Sequence, residues 1–399
     1  MGRINRKPMN MKFKKLSGEG WLQALILLHI FFIPVAISPA QVLLFTAVAA
    51  GMFFLLREHR LAEIKSSSYF VPVLLFGLMI ILSYFWSVRP SVTAHKFHRI
   101  IYYLGLFMTG LLLCPDRRGI RLAVWMFVSG SSVQAVWDLA RVPILVCVRG
   151  VNLYDTGNMR DPQLYLVSLI LLAAFFMFGE VRGKNRICWA ALVLNAAGLI
   201  IHFKRGVWIS FFIALLLLVL LTRRWKALAA AALVAGSLVF VPQVQQRLAG
   251  LKDEFRTGQG GRMALWTEVA PALIREHPLG MGYGATRNED FTPHTAYVQP
   301  KLTHVHNNAL QIILELGWQG LAVWILWMGT ALVTCGRLVR NPAVKERWVA
   351  LGGLAALAGL LVNGMVEYNF GDSEILMAYC FLMGLSVLLR RSDAAPAAI

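Results

Sequence analysis

The chain has 399 residues, of which 58% are hydrophobic and only 15% charged, and a formal net charge of +19. A soluble globular domain carries about 25% charged residues, so that class is excluded. The positive charge could suggest nucleic acid, but its placement along the chain argues otherwise.

Residues 1–20 open with "GRINRKPMNMKFKK". They are too long and polar before the first apolar run to be a cleaved signal peptide, so the first run is expected to be a retained anchor. Apolar runs of the length a bilayer-spanning helix needs, roughly 17 to 25 residues, then recur at 21–37, 39–56, 69–86, 100–114, 121–138, 161–179, 187–203, 206–222, 227–243, 309–335, 348–366 and 373–389. The expectation is an all-α polytopic membrane protein of about twelve transmembrane helices with one long outer loop. Its parts are an N-terminal segment 1–20, helices one to nine over 21–243, the loop 244–308, helices ten to twelve over 309–390 and a tail 391–399. Alternating sides from a cytoplasmic N-terminus places 24 of the 39 Lys and Arg inside and 15 outside, seven of them in the long loop. Short cytoplasmic loops are enriched in this way, so both termini are predicted inside. The charge is then a topology signal with some attraction to anionic membrane lipids. The five cysteines are scattered without CxxC or zinc spacing, which supports neither a disulfide framework nor a metal site.

The short outer turn "HFKRGVW" carries Lys204 and Arg205 between runs seven and eight, with no acid in the turn itself. Two snorkelling side chains at the interface would explain them. Guanidinium groups facing a cavity would also suit a phosphate or pyrophosphate, which they bind bidentately. In the 65-residue loop 244–308, "GRMALWTEVAPALIREHP" puts Leu265, Trp266, Val269, Ala270, Leu273 and Ile274 on one helical face. This predicts an amphipathic helix on the membrane interface. "HPLGMGYGATRN" follows, where glycines at 280, 282 and 284 could let backbone approach a phosphate or could simply reverse the chain.

"HVHNNALQIILELGWQG" then leads into run ten. Asn307 or Asn308 can cap the helix start by accepting its orphan amide protons. His304 and His306 admit three readings: metal ligands together with His294, interfacial aromatic rings, or acid–base chemistry. Gly317 and Gly320 are expected at close helix packing.

His306–Asn307, nine residues, Gly317, two residues and Gly320 resemble the H-[NSQ]-x9-G-x-x-[GTY] signature of O-antigen ligases. The order and spacing of "KRG" and "GGRMALWTEVAPALIREHPLGMGYG" are similar to that family as well, over roughly residues 150–370. The residue before "RG" is Lys204, where many relatives carry a small hydroxyl residue. The resemblance implies a GT-C-like glycosyltransferase in the bacterial inner membrane with its active site facing the periplasm. It would transfer O-antigen from undecaprenyl pyrophosphate to a sugar hydroxyl of lipid A–core, inverting, with no metal and no cofactor. It carries the essential roles onto Arg205, Arg262 and His306. Lys204, Arg160, Arg287, His304 and Asn307 are added as candidate substrate-binding residues. Three alternatives stay open: an O-antigen polymerase; a protein O-oligosaccharyltransferase, against which the absence of an extra domain after run twelve counts; and a transporter, which would show paired broken helices or intramembrane charges.

Overall fold

A computed structural model describes residues 20–148, 161–178, 185–238, 240, 242–249, 261–288, 291–295 and 304–394. Among them the secondary structure is helical, with no strand. In chain order the helices are α1 Gly20–Val35, α2 Ile37–Arg57, α3 Leu61–Lys65, α4 Phe70–Leu82, α5 Pro90–His95, α6 Ile100–Leu112, α7 Arg117–Pro143, α8 Gln163–Phe178, α9 Arg186–Ile201, α10 Arg205–Thr222, α11 Trp225–Leu238, α12 Pro242–Ala249, α13 over 262–276, α14 Asn308–Arg340, α15 Arg347–Asn363 and α16 Ser373–Ala394.

A helix lies over each of the twelve apolar runs, because a backbone with no water around it must satisfy its own hydrogen bonds. Five spans are long and apolar enough to cross a membrane: Ile37–Arg57, Arg117–Val148, Arg205–Thr222, Asn308–Arg340 and Ser373–Asp393. Five shorter apolar helices pack among them, including Gln163–Phe178 and Arg347–Asn363. The chain is therefore a membrane protein with several membrane-spanning helices.

The helices bury their apolar sides against one another. α1 packs on α2 and α7, α6 on α16, and α8 between α9 and α15, with α10 also against α15. An aromatic knot of Phe76, Tyr103, Trp327 and Phe370 joins α4, α6, α14 and the turn before α16, with ring centroids 5.0–5.8 Å apart. All five cysteines are free thiols.

Two features go beyond the apolar pattern. Asp138 on α7 and Glu315 on α14 are buried inside membrane-spanning helices, and each is fully hydrogen-bonded to side chains around it. α14 also breaks at Gly317, whose φ is 71°. Intramembrane acids and a broken helix were features the sequence reading did not find. They occur here singly, not in matching halves.

Candidate active site

α14 begins where the sequence places its cap. Asn307 has extended backbone, and its Oδ1 accepts from the Leu310 amide at 3.0 Å. Its Nδ2 donates back to the Met365 carbonyl at 2.8 Å. Asn308 is buried, and its amide donates to the Gly364 carbonyl at 2.7 Å. The Asn308 side chain donates to Asn369 Oδ1 at 2.7 Å and accepts from the Phe370 amide at 3.1 Å. Both asparagines thus tie the turn 364–370 to the start of α14.

That turn presents Glu367. Its Oε1 lies 2.8 Å from His306 Nδ1 and 3.2 Å from His304 Nε2, and it also accepts from the Tyr368 amide at 3.3 Å. Its Oε2 lies 3.6 Å from Arg262 Nη2. Burial alone would push the Glu367 carboxyl upward, but hydrogen bonds and charge from His304 and His306 outweigh it and hold the group well below the usual carboxylate range. An ionised carboxylate only accepts, so His306 presents Nδ1–H to it and Nε2 is left as the ring's basic nitrogen. The two imidazoles meet edge to face at 4.3 Å. His306, Glu367 and Arg262 each keep about a quarter of their side-chain surface exposed (22%, 26% and 26%), so the cluster is open to a ligand. His306 itself sits at φ 49°. A left-handed conformation costs a non-glycine residue about 1–2 kcal/mol, and it is held here by the bonds on either side.

Arg262 is delivered by α13. Gly261, at φ 96°, turns the chain into the helix. Leu265, Val269 and Leu273 are buried against Met281, Val305 and Leu314. The face expected to lie on the membrane interface therefore packs on the protein itself. Trp266 Nε1 donates to the Val305 carbonyl at 2.8 Å, one residue before His306. Arg262 and His306 are thereby locked to one small core.

The glycine segment has a structural use. The break at Gly317 leaves the Leu314 and Glu315 carbonyls without helical partners, and the amides of Met281 and Gly282 take them at 2.7 and 2.9 Å. A Cβ on Gly280 would come within 2.6 Å of the Glu315 carbonyl and the Gly317 amide. Residues 280–284 thus approach a helix backbone, while Gly317 marks a break in α14.

The remaining predicted residues separate. Arg205 is the first residue of α10, and the preceding Lys204 pairs with Asp161 Oδ2 at 3.2 Å, an acid that the turn itself lacks. Burial would lower the Lys204 ammonium, but Asp161, with smaller contributions from Glu367 and Asp372, raises it. Lys204 therefore feels the charge of the Glu367 loop. Arg287 lies exposed on the 285–288 turn, with Lys96 in its field, and the described contacts do not bring it to His306. Arg160 lies outside the described residues.

The three ligand atoms of His304, His306 and Glu367 fall within 4.8 Å of one another and could hold a divalent cation. His294, the third residue of the sequence's metal reading, lies instead 3.9 Å from Glu276. The Arg262 guanidinium beside the same carboxylate opposes a second positive charge there.

Glu367 was missed in the sequence. It stands in "VEYNFGDSE", the one short loop among those predicted on the outer side that contains acids and no Lys or Arg. Facing loops rich in cations, that imbalance was the available signal.

Residues 190–325 match the O-antigen ligase family model. The family named from the His306 signature is thus the one whose model fits. Two curated relatives, described as candidate polysaccharide ligases, come from Rickettsia typhi and Rickettsia prowazekii. They are 25% and 26% identical over 172 residues, which is 40% of this chain and 41% of each relative's length. The O-antigen ligase match contains Arg205, Arg262, His304, His306, Gly317 and Gly320, and it ends before Glu367.

Proposed function

We propose that this protein is an inverting glycan ligase. It moves O-antigen from undecaprenyl pyrophosphate to a sugar hydroxyl of lipid A–core at the periplasmic face of the bacterial inner membrane. The observation that carries the reading is the His306 ring held by Glu367, with Nε2 left without a partner among the described residues, and Arg262 on the same carboxylate. A carboxylate that orients an imidazole and supports its protonated form is the standard arrangement for a histidine general base.

The acceptor hydroxyl gives its proton to His306 Nε2 as its oxygen bonds to the donor's anomeric carbon. The bond from that carbon to the pyrophosphate oxygen breaks on the opposite face, and the anomeric centre inverts. Pyrophosphate leaves as an anion, so no general acid is required. Arg262 and Arg205 stabilise its growing charge, and Lys204 adds to the local positive field. His304 steadies Glu367, and Asn307 holds the turn that carries it. No metal or cofactor takes part in these steps.

Around this site we assign all twelve apolar helices to the membrane, the segment 244–308 to the periplasm and both termini to the cytoplasm. Two exposed native thiols test that topology. Cys147 falls on the periplasmic side and Cys114 on the cytoplasmic side, so an impermeant thiol reagent added to intact cells labels only Cys147. Labelling of Cys114 would overturn the arrangement.

The direct test of function is transfer from lipid-linked O-antigen to purified lipid A–core in the presence of EDTA. Product on the core supports the ligase. A lipid-linked glycan lengthened by further repeats would instead identify a polymerase. Loss of transfer on adding EDTA alone would return the His304–His306–Glu367 group to a metal role.

A further inference from the structure

A cavity of about 230 Å³, sharing no residue with the His306 cluster, lies where α2, α6 and α16 end and α1 begins. Leu22, Phe54 and Leu112 give it apolar walls, and Arg60, Arg391 and Gln23 give it a polar rim. Because α2 and α16 are membrane-spanning helices, their ends place this cavity at a membrane surface. We propose that it binds the headgroup of an anionic phospholipid.

Arg391 carries the argument. All its hydrogen bonds use Nη1, which donates to the carbonyls of Gly110, Leu111 and Leu113 at 3.0, 2.7 and 3.4 Å. The side chain is fixed against the end of α6, and Nε and Nη2 have no partner among the described residues. A guanidinium anchored in this way meets a phosphate without losing further side-chain freedom. Arg60 stands on the same cavity with its Nε and Nη2 on Glu63 at 2.6 and 3.0 Å. The two arginines and Glu63 lie within one another's fields. Basic pockets between membrane helices are recognised recipients of acidic headgroups. The apolar walls let the acyl chains continue down the helix surfaces.

Cys114 lines the cavity, 3.4 Å from Gln23 Oε1, and is exposed, so it reports occupancy directly. Cys147 is exposed at the far end of α7 and serves as the internal control. The full chain in nanodiscs is alkylated with a soluble maleimide, and each site is followed by mass spectrometry. Phosphatidylglycerol in place of phosphatidylcholine slows alkylation of Cys114 about tenfold at saturating lipid and leaves Cys147 unchanged. Arg60→Gln weakens that protection, and Glu63→Gln, which removes the competing carboxylate, brings it in at a lower mole fraction of phosphatidylglycerol. Both variants keep Arg391 on α6. Equal Cys114 rates in the two lipids would overturn the proposal. So would equal protection by inorganic phosphate in phosphatidylcholine discs, which would mark a free-anion site, or undiminished protection in Arg60→Gln.

Discussion

His306 and Glu367 meet at 2.8 Å beside the start of α14, while His202 and Asp138 meet at 3.2 Å between α9 and α7. The chemistry of the two pairs is nearly the same, and their surroundings differ. Asp138 is fully buried and also accepts from Gln134 Nε2 at 2.8 Å and Tyr165 Oη at 2.5 Å, and His202 is only 4% exposed. Both carboxylate oxygens there are engaged by neighbouring side chains. Glu367 is a quarter exposed, and its neighbours are a second histidine and an arginine. A histidine–carboxylate pair inside a bundle is therefore not itself a site. What separates the two is exposure, 22% for His306 against 4% for His202, together with the Arg262 guanidinium beside the exposed carboxylate.

The largest expected effect tests that distinction at its centre. His306→Ala lowers transfer of glycan to lipid A–core about 100- to 10,000-fold, or roughly 3–5 kcal/mol of barrier. Protein level and membrane insertion stay normal, because a part-exposed ring holds little of the bundle together. Full activity in this variant would end the general-base assignment.

Arg262→Lys keeps the charge and loses the planar fork, so transfer falls about 100- to 1,000-fold, as for loss of one preorganised donor. Arg205→Lys behaves in the same direction. Wild-type rates in either would show that simple positive charge is enough.

Glu367→Gln comes next, at about 10- to 100-fold, the value of one hydrogen bond to a charged group at 1.5–3 kcal/mol. Glu367's own carboxyl is held below its ordinary value. Its contribution to stability is therefore present above the unfolded value of about 4.3 and is lost only as pH falls through the lower folded value. Wild-type transfer rates in Glu367→Gln would remove Glu367 from the chemistry of the site.

These residues also show what the sequence could tell. Apolar length alone located the helices, since each run lies under one. Asn307 as a cap was legible because the cap is a local contact, three residues deep. Glu367 was not, since its bonds to His304 and His306 cross 63 and 61 residues and no local pattern encodes them. Asp161 escaped for the same reason, 43 residues from Lys204. The face of α13 was read correctly as apolar, but periodicity cannot say whether lipid or Val305 and Leu314 cover it. Gly317 was read as a packing position, and the backbone break that demands a left-handed φ became visible only with Met281 and Gly282 docked on it.

A smaller effect belongs to His304. Its Nε2 shares Glu367 Oε1 with His306 at the longer distance of 3.2 Å, and its ring shields one edge of His306. His304→Ala leaves the shorter bond in place, so transfer falls only a few-fold, about 1 kcal/mol. A loss equal to that of His306→Ala would mean the two rings act as one unit.

The smallest change in activity is expected at the sealed pair, and it is the one that can break the comparison. Asn in place of Asp138 keeps the shape of the side chain and still accepts from Gln134 through Oδ1. Its amide nitrogen then faces Tyr165 Oη and His202 Nε2, both of which now meet Oδ2. One of them must turn its proton elsewhere or lose its bond, in a place that water does not reach. Leaving a buried donor unmatched costs about 1–3 kcal/mol, so Asp138→Asn lowers thermal stability in detergent. His202 closes the end of α9 just before Phe203, whose φ is 50°, and the Lys204–Arg205 turn. The pair therefore acts by holding that turn in place, and transfer per folded molecule stays within about twofold of wild type. The measurement is a melting curve beside a transfer assay on the same preparation. Abolished transfer with an unchanged melting curve would place Asp138 and His202 in the reaction, and exposure would no longer separate the two pairs.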